Sequence, residues 1–379
     1  MRVLHVGKFY HPIEGGIESI NKVVVDALKG NSQKVISFNK KNRTTEDDVE
    51  GVPVVRCASY GVIASQPISL SYFRELRRLI KDYDPTVIHF HHPDPLVALY
   101  LMLINPKNAK LIIHWHSDVI AQKVLYRFIK PIETRLLKRA DAVIATSPLY
   151  RDFSPCLKDF KDKVTVIPCS IDEKNFDLTA EEEMEVTEIK KRYGDRPIVF
   201  FIGRHVEYKG IKYLLEAEKH IKNDCVILVA GQGPLTEELK NSYKSDRIHW
   251  LGRLSDRDMK LYYHAADIFA FPSITRNEAF GVVLVESMYC KSPAVTFTIE
   301  GSGVNWVSPD GETAIEVENS NVEQYAEAVD RLLSDKELRN RLAENGKVRA
   351  MRFFGRHAVE TQYRALYRSL TDGINPRQS

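Results

Sequence analysis

Residues 268–288 read IFAFPSITRNEAFGVVLVESM, and this stretch decides how the chain is to be read. The apolar tetrad Ile268–Phe271 has the length and composition of a buried strand, and a second apolar run begins at about Val282 with helical character. Between them, PSITRNEAFG is polar and carries glycine, as a connecting loop does. Strand, loop and helix in that order place Glu278 at a helix N-terminus and Glu286 about one turn inside the helix. Acidic residues favour first helical turns, which explains Glu278 without any ligand. Glu286 is different, because it stands among Leu284, Val285 and Met288. A carboxylate in an apolar run costs several kcal/mol unless partnered, so a polar ligand such as a ribose or sugar hydroxyl is expected there.

Outward from this stretch, short apolar runs alternate with amphipathic ones, the βαβ rhythm of a parallel sheet covered by helices. In the first half the spacing predicts strands at Val3–Val6, Lys34–Phe38, Val52–Arg56, Val87–Phe90, Lys110–Trp115, Ala142–Thr146 and Val164–Ile167. Helices are expected over Ile17–Lys29, Tyr72–Lys81 and Ile132–Arg139. The rhythm pauses at PCSIDEKNFDLTAEEEMEV (168–186) and restarts with strands at Pro197–Ile202, Val226–Ala230, Ile248–Leu251, Ile268–Phe271, Ala294–Phe297 and Ala314–Val317. The fold class is therefore α/β, with two Rossmann-like doubly wound domains, 1–175 and 176–355, and a terminal helix in 356–379 packing back on the first. Ligands of such sheets lie beyond the carboxyl ends of the strands, so an interdomain cleft is expected to hold the site.

Four further segments carry chemistry. In VFFIGRHVEYKG (199–210), Gly203, Arg204 and Lys209 follow a buried strand; a guanidinium fork and a compact ammonium suit a diphosphate. In KFYHPIEGGIES (8–19), Gly15 and Gly16 lie between the first strand and helix. They fit a tight turn or a close backbone approach to phosphate equally well. Histidines crowd two strand ends, VIHFHHPDP and IIHWHSDV. With no Cys or Glu nearby to complete a zinc motif, no metal is assigned, and His89 and His114 read as core residues. His116 and Asp118 lie just past a buried strand, where they could meet a substrate, as could His92.

Two other motifs are set aside. Asp256-x-Asp258 is explained by a helix cap at Ser255. Gly231-x-Gly233 lacks the third glycine of a dinucleotide loop, Thr236 taking its place.

Composition narrows the class. At 379 residues the chain exceeds the size of one hydrophobic core. Five widely spaced cysteines, without any Cys-x-x-Cys, read as buried thiols of a cytoplasmic protein. No apolar run approaches the roughly 20 residues of a membrane span. Residues 1–170 carry 25 Lys and Arg against 17 Asp and Glu, whereas the rest carries 29 against 34. A basic half invites an anionic partner such as a phospholipid surface, and no basic-aromatic stripe points to nucleic acid. The stretch 122–140 is basic and amphipathic, with Pro131 expected to break or kink its helix. The tail from Asn375 is expected to be disordered.

Taken together, EGGIES, HWHSDV, VIPCSID, FIGRHVEYKG, AGQGP, LYYHAADIFAFPS, NEAFGVVLVESM and GVNWVSPDG resemble, in order, the retaining glycosyltransferases of family four, of GT-B fold. Within it they are most similar to bacterial mannosyl- and rhamnosyltransferases of O-antigen and capsule assembly. The resemblance implies a nucleotide-sugar donor, GDP-mannose first and UDP-sugars next, and a glycan or undecaprenyl-diphosphate-linked acceptor. It implies no metal or other cofactor, and a peripheral contact with the inner membrane face. Carried over by position, Arg204 and Lys209 would hold the donor diphosphate, with Gly203 beside them. Glu278 with Ala279, Phe280, Gly281 and Val282 would hold the donor sugar, and Glu286 the ribose. Arg253 would lie near the base, Gly16 near the phosphates, and His116 near the transferred sugar. His92 and Asp118 are the acceptor-side candidates. One departure is Lys291, where the family has glycine; a left-handed residue there would cost lysine about 1 kcal/mol.

Overall fold

The computed structural model describes residues 1–13, 15–63, 66–118 and 123–372; the side chains of 123–126 and 128 fall outside that description, as does the tail whose disorder was expected. Two compact units make up the chain, Met1–Pro168 with Val359–Ser379, and Cys169–Ala358. The first break precedes the expected 175/176. Ile171 bridges to Gly355, and the Arg356 amide donates to the Glu173 carboxylate at 3.1 Å, which ties these linker residues to the second unit.

The first unit is built on an eight-stranded sheet. Its strands are β1 (Arg2–Val6), β2 (Ser32–Phe38), β3 (Thr45–Val49), β4 (Val52–Cys57), β7 (Val87–His92), β8 (Lys110–Trp115), β9 (Ala142–Ala145) and β10 (Val164–Val166), a small hairpin β5 (Val62–Ile63)–β6 (Gln66–Pro67) lying outside it. The order is β10-β9-β8-β7-β1-β2-β4-β3, parallel except for the β3–β4 edge. Both faces are covered, so β1, β7, β8 and β9 are nearly continuous buried runs. Its helices are α1 (Gly16–Ala27), α2 (Leu70–Asp82), α3 (Pro95–Ile104), α4 (Lys123–Arg139), α5 (Pro148–Phe153) and, from Val359 onward, the last helix of the chain. Pro131 does not break α4, which continues through it. Arg127 and Pro131 are both exposed, so the carbonyl freed by the missing proline N–H faces water.

The second unit has a six-stranded, wholly parallel sheet. It comprises β11 (Ile198–Ile202), β12 (Val226–Ala230), β13 (Ile248–Gly252), β14 (Ile268–Phe271), β15 (Ala294–Phe297) and β16 (Ala314–Val317). Helix α6 (Ala180–Arg192) precedes the sheet, closed by a capping box between Thr179 and Glu182. Then follow α7 (Ile211–Ala217), α8 (Thr236–Ser242), α9 (Asp256–Ala265), α10 (Val282–Tyr289), α11 (Val304–Val307), α12 (Val322–Ser334) and α13 (Lys336–Arg349); the last helix, α14 (Arg356–Thr371), belongs to the first unit from Val359 onward. Strand order is β13-β12-β11-β14-β15-β16. The winding reverses between β11 and β14, the place in strand order where a doubly wound sheet opens a crevice. The loops leaving those two adjacent strands are 203–210 and 272–281.

Candidate active site

In the second unit, the loop after β11 is held on one side by the loop after β12. Gly203 N–H donates to Ala230 O at 3.2 Å, and His205 N–H to Gln232 O at 3.3 Å. A Cβ on Gly231 would stand 1.9 Å from Gly203 O, and one on Gly233 would stand 2.3 Å from His205 O. The glycine pair set aside as a dinucleotide motif therefore serves backbone-to-backbone packing. On the other side, Ile274 N–H donates to Tyr208 O at 3.0 Å. Gly210, at φ +61°, leaves no room for a side chain, since its Cβ would lie 2.0 Å from Pro272 O.

This clamp brings Lys209 against Glu278. Their ammonium and carboxylate form an ion pair whose side chains are only 13% and 12% exposed. Ser273 Oγ adds a hydrogen bond to Glu278 Oε2 at 3.2 Å, and the Ser302 hydroxyl donates to the Glu278 carbonyl. Gly303 N–H donates to Ala279 O at 2.9 Å. Phe280 is buried, its ring against Phe354 and Trp306. Gly281, left-handed at φ +82°, is the N-cap residue of α10, and Val282 is the first residue of that helix. Gly203 lies in reach of the Lys209 chain, 3.8 Å from a Cβ placed on it. Arg204 is exposed, its side chain making no hydrogen bond or ion pair among the described residues, and Arg253 is likewise exposed past the end of β13.

Glu286 sits one turn inside α10, as its spacing predicted. The partner that the apolar run demanded is supplied in part by the protein: Tyr263 of α9 donates its hydroxyl to Glu286 Oε2 at 2.7 Å. Burial still raises the Glu286 carboxyl to about 7, against the lowering effect of that hydrogen bond. Nothing in the local pattern of LYYHAAD signals this role for Tyr263, because the contact is made between two helices. Ser255, by contrast, accepts from Asp258 N–H at 3.1 Å, so it caps α9 and the Asp-x-Asp pair falls in that helix's first turn.

The first-unit candidates are more enclosed than expected. His116 is 6% exposed, with Nε2 3.0 Å from His91 Nδ1 and Nδ1 buried without a partner. Burial lowers its pKa to about 3, so the ring is neutral. His92 Nε2 lies 2.8 Å from Glu133 of α4, and its ring stacks on Trp115 at 3.6 Å between centroids. Glu133, missed in the sequence, is 2% exposed and comes from 41 residues downstream. Asp118 Oδ1 accepts from Trp115 Nε1 at 2.9 Å and from Ser154 Oγ at 2.8 Å, whereas Oδ2 is buried and has no partner among the described residues. Gly15 precedes α1, where a Cβ would strike Glu18 Oε2 at 2.1 Å; a Cβ on Gly16 meets no atom within 4 Å.

Comparison with known families accounts for both units. The family model "Glycosyltransferase Family 4" matches residues 15–175, and "Glycosyl transferases group 1" matches residues 183–349. The chain is a family 4 glycosyltransferase. It is 28% identical to the O-antigen chain mannosyltransferase C of Escherichia coli, covering 98% of this chain and 99% of that one. It is also 28% identical to the D-rhamnosyltransferase WbpZ of Pseudomonas aeruginosa, over 93% and 92% of the two chains. Among solved structures, a sucrose-phosphate synthase from Thermosynechococcus elongatus superposes with a TM-score of 0.78 at 20% identity, covering 98% and 100%. Anabaena Alr3699/HepE in complex with UDP-glucose superposes with a TM-score of 0.76 at 16% identity, covering 97% and 100%. The fold is GT-B, with two Rossmann-like α/β domains. Among the described residues, no helix of this glycosyltransferase is long and apolar enough to cross a membrane.

Proposed function

We propose that this glycosyltransferase moves mannose from GDP-mannose, with retention and without a metal at the diphosphate, onto a lipid-linked or saccharide acceptor of a surface polysaccharide such as O-antigen or capsule. The observation that carries this reading is the Lys209–Glu278 pair, set between loops that leave β11 and β14 where the sheet reverses. An ammonium held ready by a carboxylate can turn to a diphosphate, and the freed carboxylate can accept sugar hydroxyls. Arg204, exposed on the same loop, adds a second cation. Together the two cations would offset the charge that develops on the leaving diphosphate, the task a divalent ion performs elsewhere. The acceptor hydroxyl attacks the face that the diphosphate leaves, through an oxocarbenium-like state, and gives its proton to the departing phosphate oxygen. Glu286 takes the ribose hydroxyls.

The names of two relatives matched over nearly their whole length, an O-antigen chain mannosyltransferase and a D-rhamnosyltransferase, support the choice of donor and product class. A thermal-shift screen of GDP-, UDP-, dTDP- and ADP-sugars without added divalent metal tests it, since a ligand at 100 times its dissociation constant stabilises by about 2.7 kcal/mol. GDP-mannose should give the largest shift. A larger shift with a UDP-sugar would replace that donor, the second reading favoured by the structural neighbour solved with UDP-glucose. No shift with any of the four would sink the proposal. Its basic first 170 residues further suit an anionic inner-leaflet surface. Cosedimentation with anionic vesicles, lost at high salt, is the expected result, and equal binding to neutral vesicles would contradict it.

A further inference from the structure

The sheet of the first unit gathers histidines in a way that sugar transfer does not use. His89 and His91 are two residues apart on β7 and so project to one face, and His91 is the register partner of His114 on β8. All three are at most 1% exposed, and one ring nitrogen from each lies within 4.8 Å of the others. Helix α14 closes over this face, with Tyr367 Oη 2.6 Å from His89 Nδ1 and the Tyr363 ring beside His114.

We propose that His89, His91 and His114 bind one late first-row transition-metal dication, of the Zn²⁺, Co²⁺ or Ni²⁺ class, beneath α14. Three geometric features carry this. First, His89 Nε2 and His114 Nδ1 stand 3.3 Å apart. That is long beside the usual N–H···acceptor distance of about 2.9–3.0 Å. It matches the separation of two ligands at tetrahedral angles around a zinc ion with Zn–N near 2.0–2.1 Å, about 3.3 Å. Second, the outer nitrogens of His89 and His91 are already engaged as a metal site requires. With its proton on Nδ1, His89 donates to Tyr367 and turns the lone pair of Nε2 inward; with its proton on Nδ1, His91 donates to His116 Nε2 at 3.0 Å and does the same. Third, among the described residues the buried His91 Nε2 has no hydrogen-bond partner, and His114 Nε2 has none either. Such an orphan nitrogen costs about 1–3 kcal/mol, and coordination relieves it for the ring that ligates through that atom.

The ligand chemistry selects the ion. Imidazole nitrogens suit zinc, cobalt, nickel and copper, whereas magnesium and calcium take oxygen donors. Glu133 pairs with His92, which alternates to the other face of β7, so it gives this trio no charge. Neutral ligands alone hold a dication less firmly than thiolates do, so the ion would be lost to chelators. The sequence contained the pattern as two His-x-His pairs, but their register across β7 and β8 was not legible. The trio shares no residue with the Lys209–Glu278 pair, although His91 bonds His116; its failure would leave the transferase reading untouched.

The test uses the untagged full chain, stripped with a chelator and titrated with Co²⁺. One equivalent should bind, with visible ligand-field bands of imidazole coordination, and be displaced by Zn²⁺ but not by Mg²⁺. His91→Gln and His114→Gln should abolish those bands. Tyr367→Phe preserves the packing of the helix and should weaken Co²⁺ affinity by about 10–100-fold, as loss of an outer hydrogen bond does. Absence of stoichiometric Co²⁺ binding by the wild-type chain overturns the proposal, whatever the variants do. Unchanged affinity in a folded Tyr367→Phe, or bands that persist in a folded His91→Gln, overturns it equally.

Discussion

Removing Lys209 should damage this enzyme in two separable ways. In the donor-free protein, the ammonium neutralises a Glu278 carboxylate that is 12% exposed. Among the described residues, Lys209→Ala leaves that charge with only the Ser273 hydroxyl at 3.2 Å. Breaking one side of a buried pair costs about 3–5 kcal/mol, and the residual exposure and the serine bond place this case at or below the lower end. In the transition state the same ammonium faces the diphosphate, where loss of one charge-stabilising donor lowers kcat by about 10²–10³-fold. The assay is a double-mutant cycle of Lys209→Ala, Glu278→Gln and their combination, read both by denaturant midpoint and by steady-state transfer. In stability, the double variant should be no worse than Lys209→Ala, because the stranded carboxylate is gone. In kcat, the double variant should fall as far as Lys209→Ala, since the two groups act as one device. If Lys209→Ala keeps wild-type kcat, or the two stability losses simply add, the pair is an ordinary surface ion pair and the reasoning fails.

Three other outcomes follow from single contacts. Burial raises the Glu286 carboxyl from 4.5 to about 7, so the folded state holds a proton that the unfolded state has released. That group's contribution to stability is full below about pH 4.5 and declines as pH rises toward 7, by about 3 kcal/mol at most. Glu286→Gln should therefore raise the melting temperature of the donor-free enzyme at pH 8 more than at pH 5, while weakening donor binding; an equal change at both pH values would contradict the assignment. Gly210→Ala places a Cβ 2.0 Å from Pro272 O at φ +61°, so it should destabilise by more than 1 kcal/mol and release the Lys209 loop, seen as a lower denaturant midpoint and lost donor shift. Lys291 stands at φ +62° and pairs with Glu344 where both are largely exposed. Lys291→Gly should gain up to about 1 kcal/mol of cap strain and lose less from the pair, giving a melting temperature at or above wild type.

What the sequence discloses and what it hides divides along the range of the interaction. The sheet strands announced themselves because burial on both faces writes a continuous apolar run, as in Val226–Ala230 and Ile268–Phe271. Edge strand β3 wrote nothing of the kind. TEDDV is polar and mostly exposed, and it is fixed by backbone pairing with β4 and by the Arg56–Asp47 contact at 2.6 Å. Helix α6 was passed over inside an acidic stretch, although Thr179-x-x-Glu182 is a capping box that local reading can find.

The candidate site divides in the same way. Arg204, Lys209 and Glu278 were legible because a cation or acid just past a buried strand sits at the sheet's carboxyl edge, and strand order then makes β11 and β14 neighbours. Tyr263, Glu133 and Tyr367 were not, since each reaches its partner only through packing between elements far apart in the chain. The apolar-run argument about Glu286 shows why this matters. It deduced correctly that the carboxylate needs a partner, yet the chain itself supplies one for Oε2, in Tyr263. An acid in an apolar helix therefore points to a ligand only as far as its protein partners leave an oxygen to spare. Tyr263→Phe decides how far that is here. Without the hydroxyl, the carboxyl loses the bond that opposes its rise, so the pH above which donor binds should move upward. A donor affinity and pH profile identical to wild type would mean that Glu286 is satisfied within the fold and takes no part in holding the ribose.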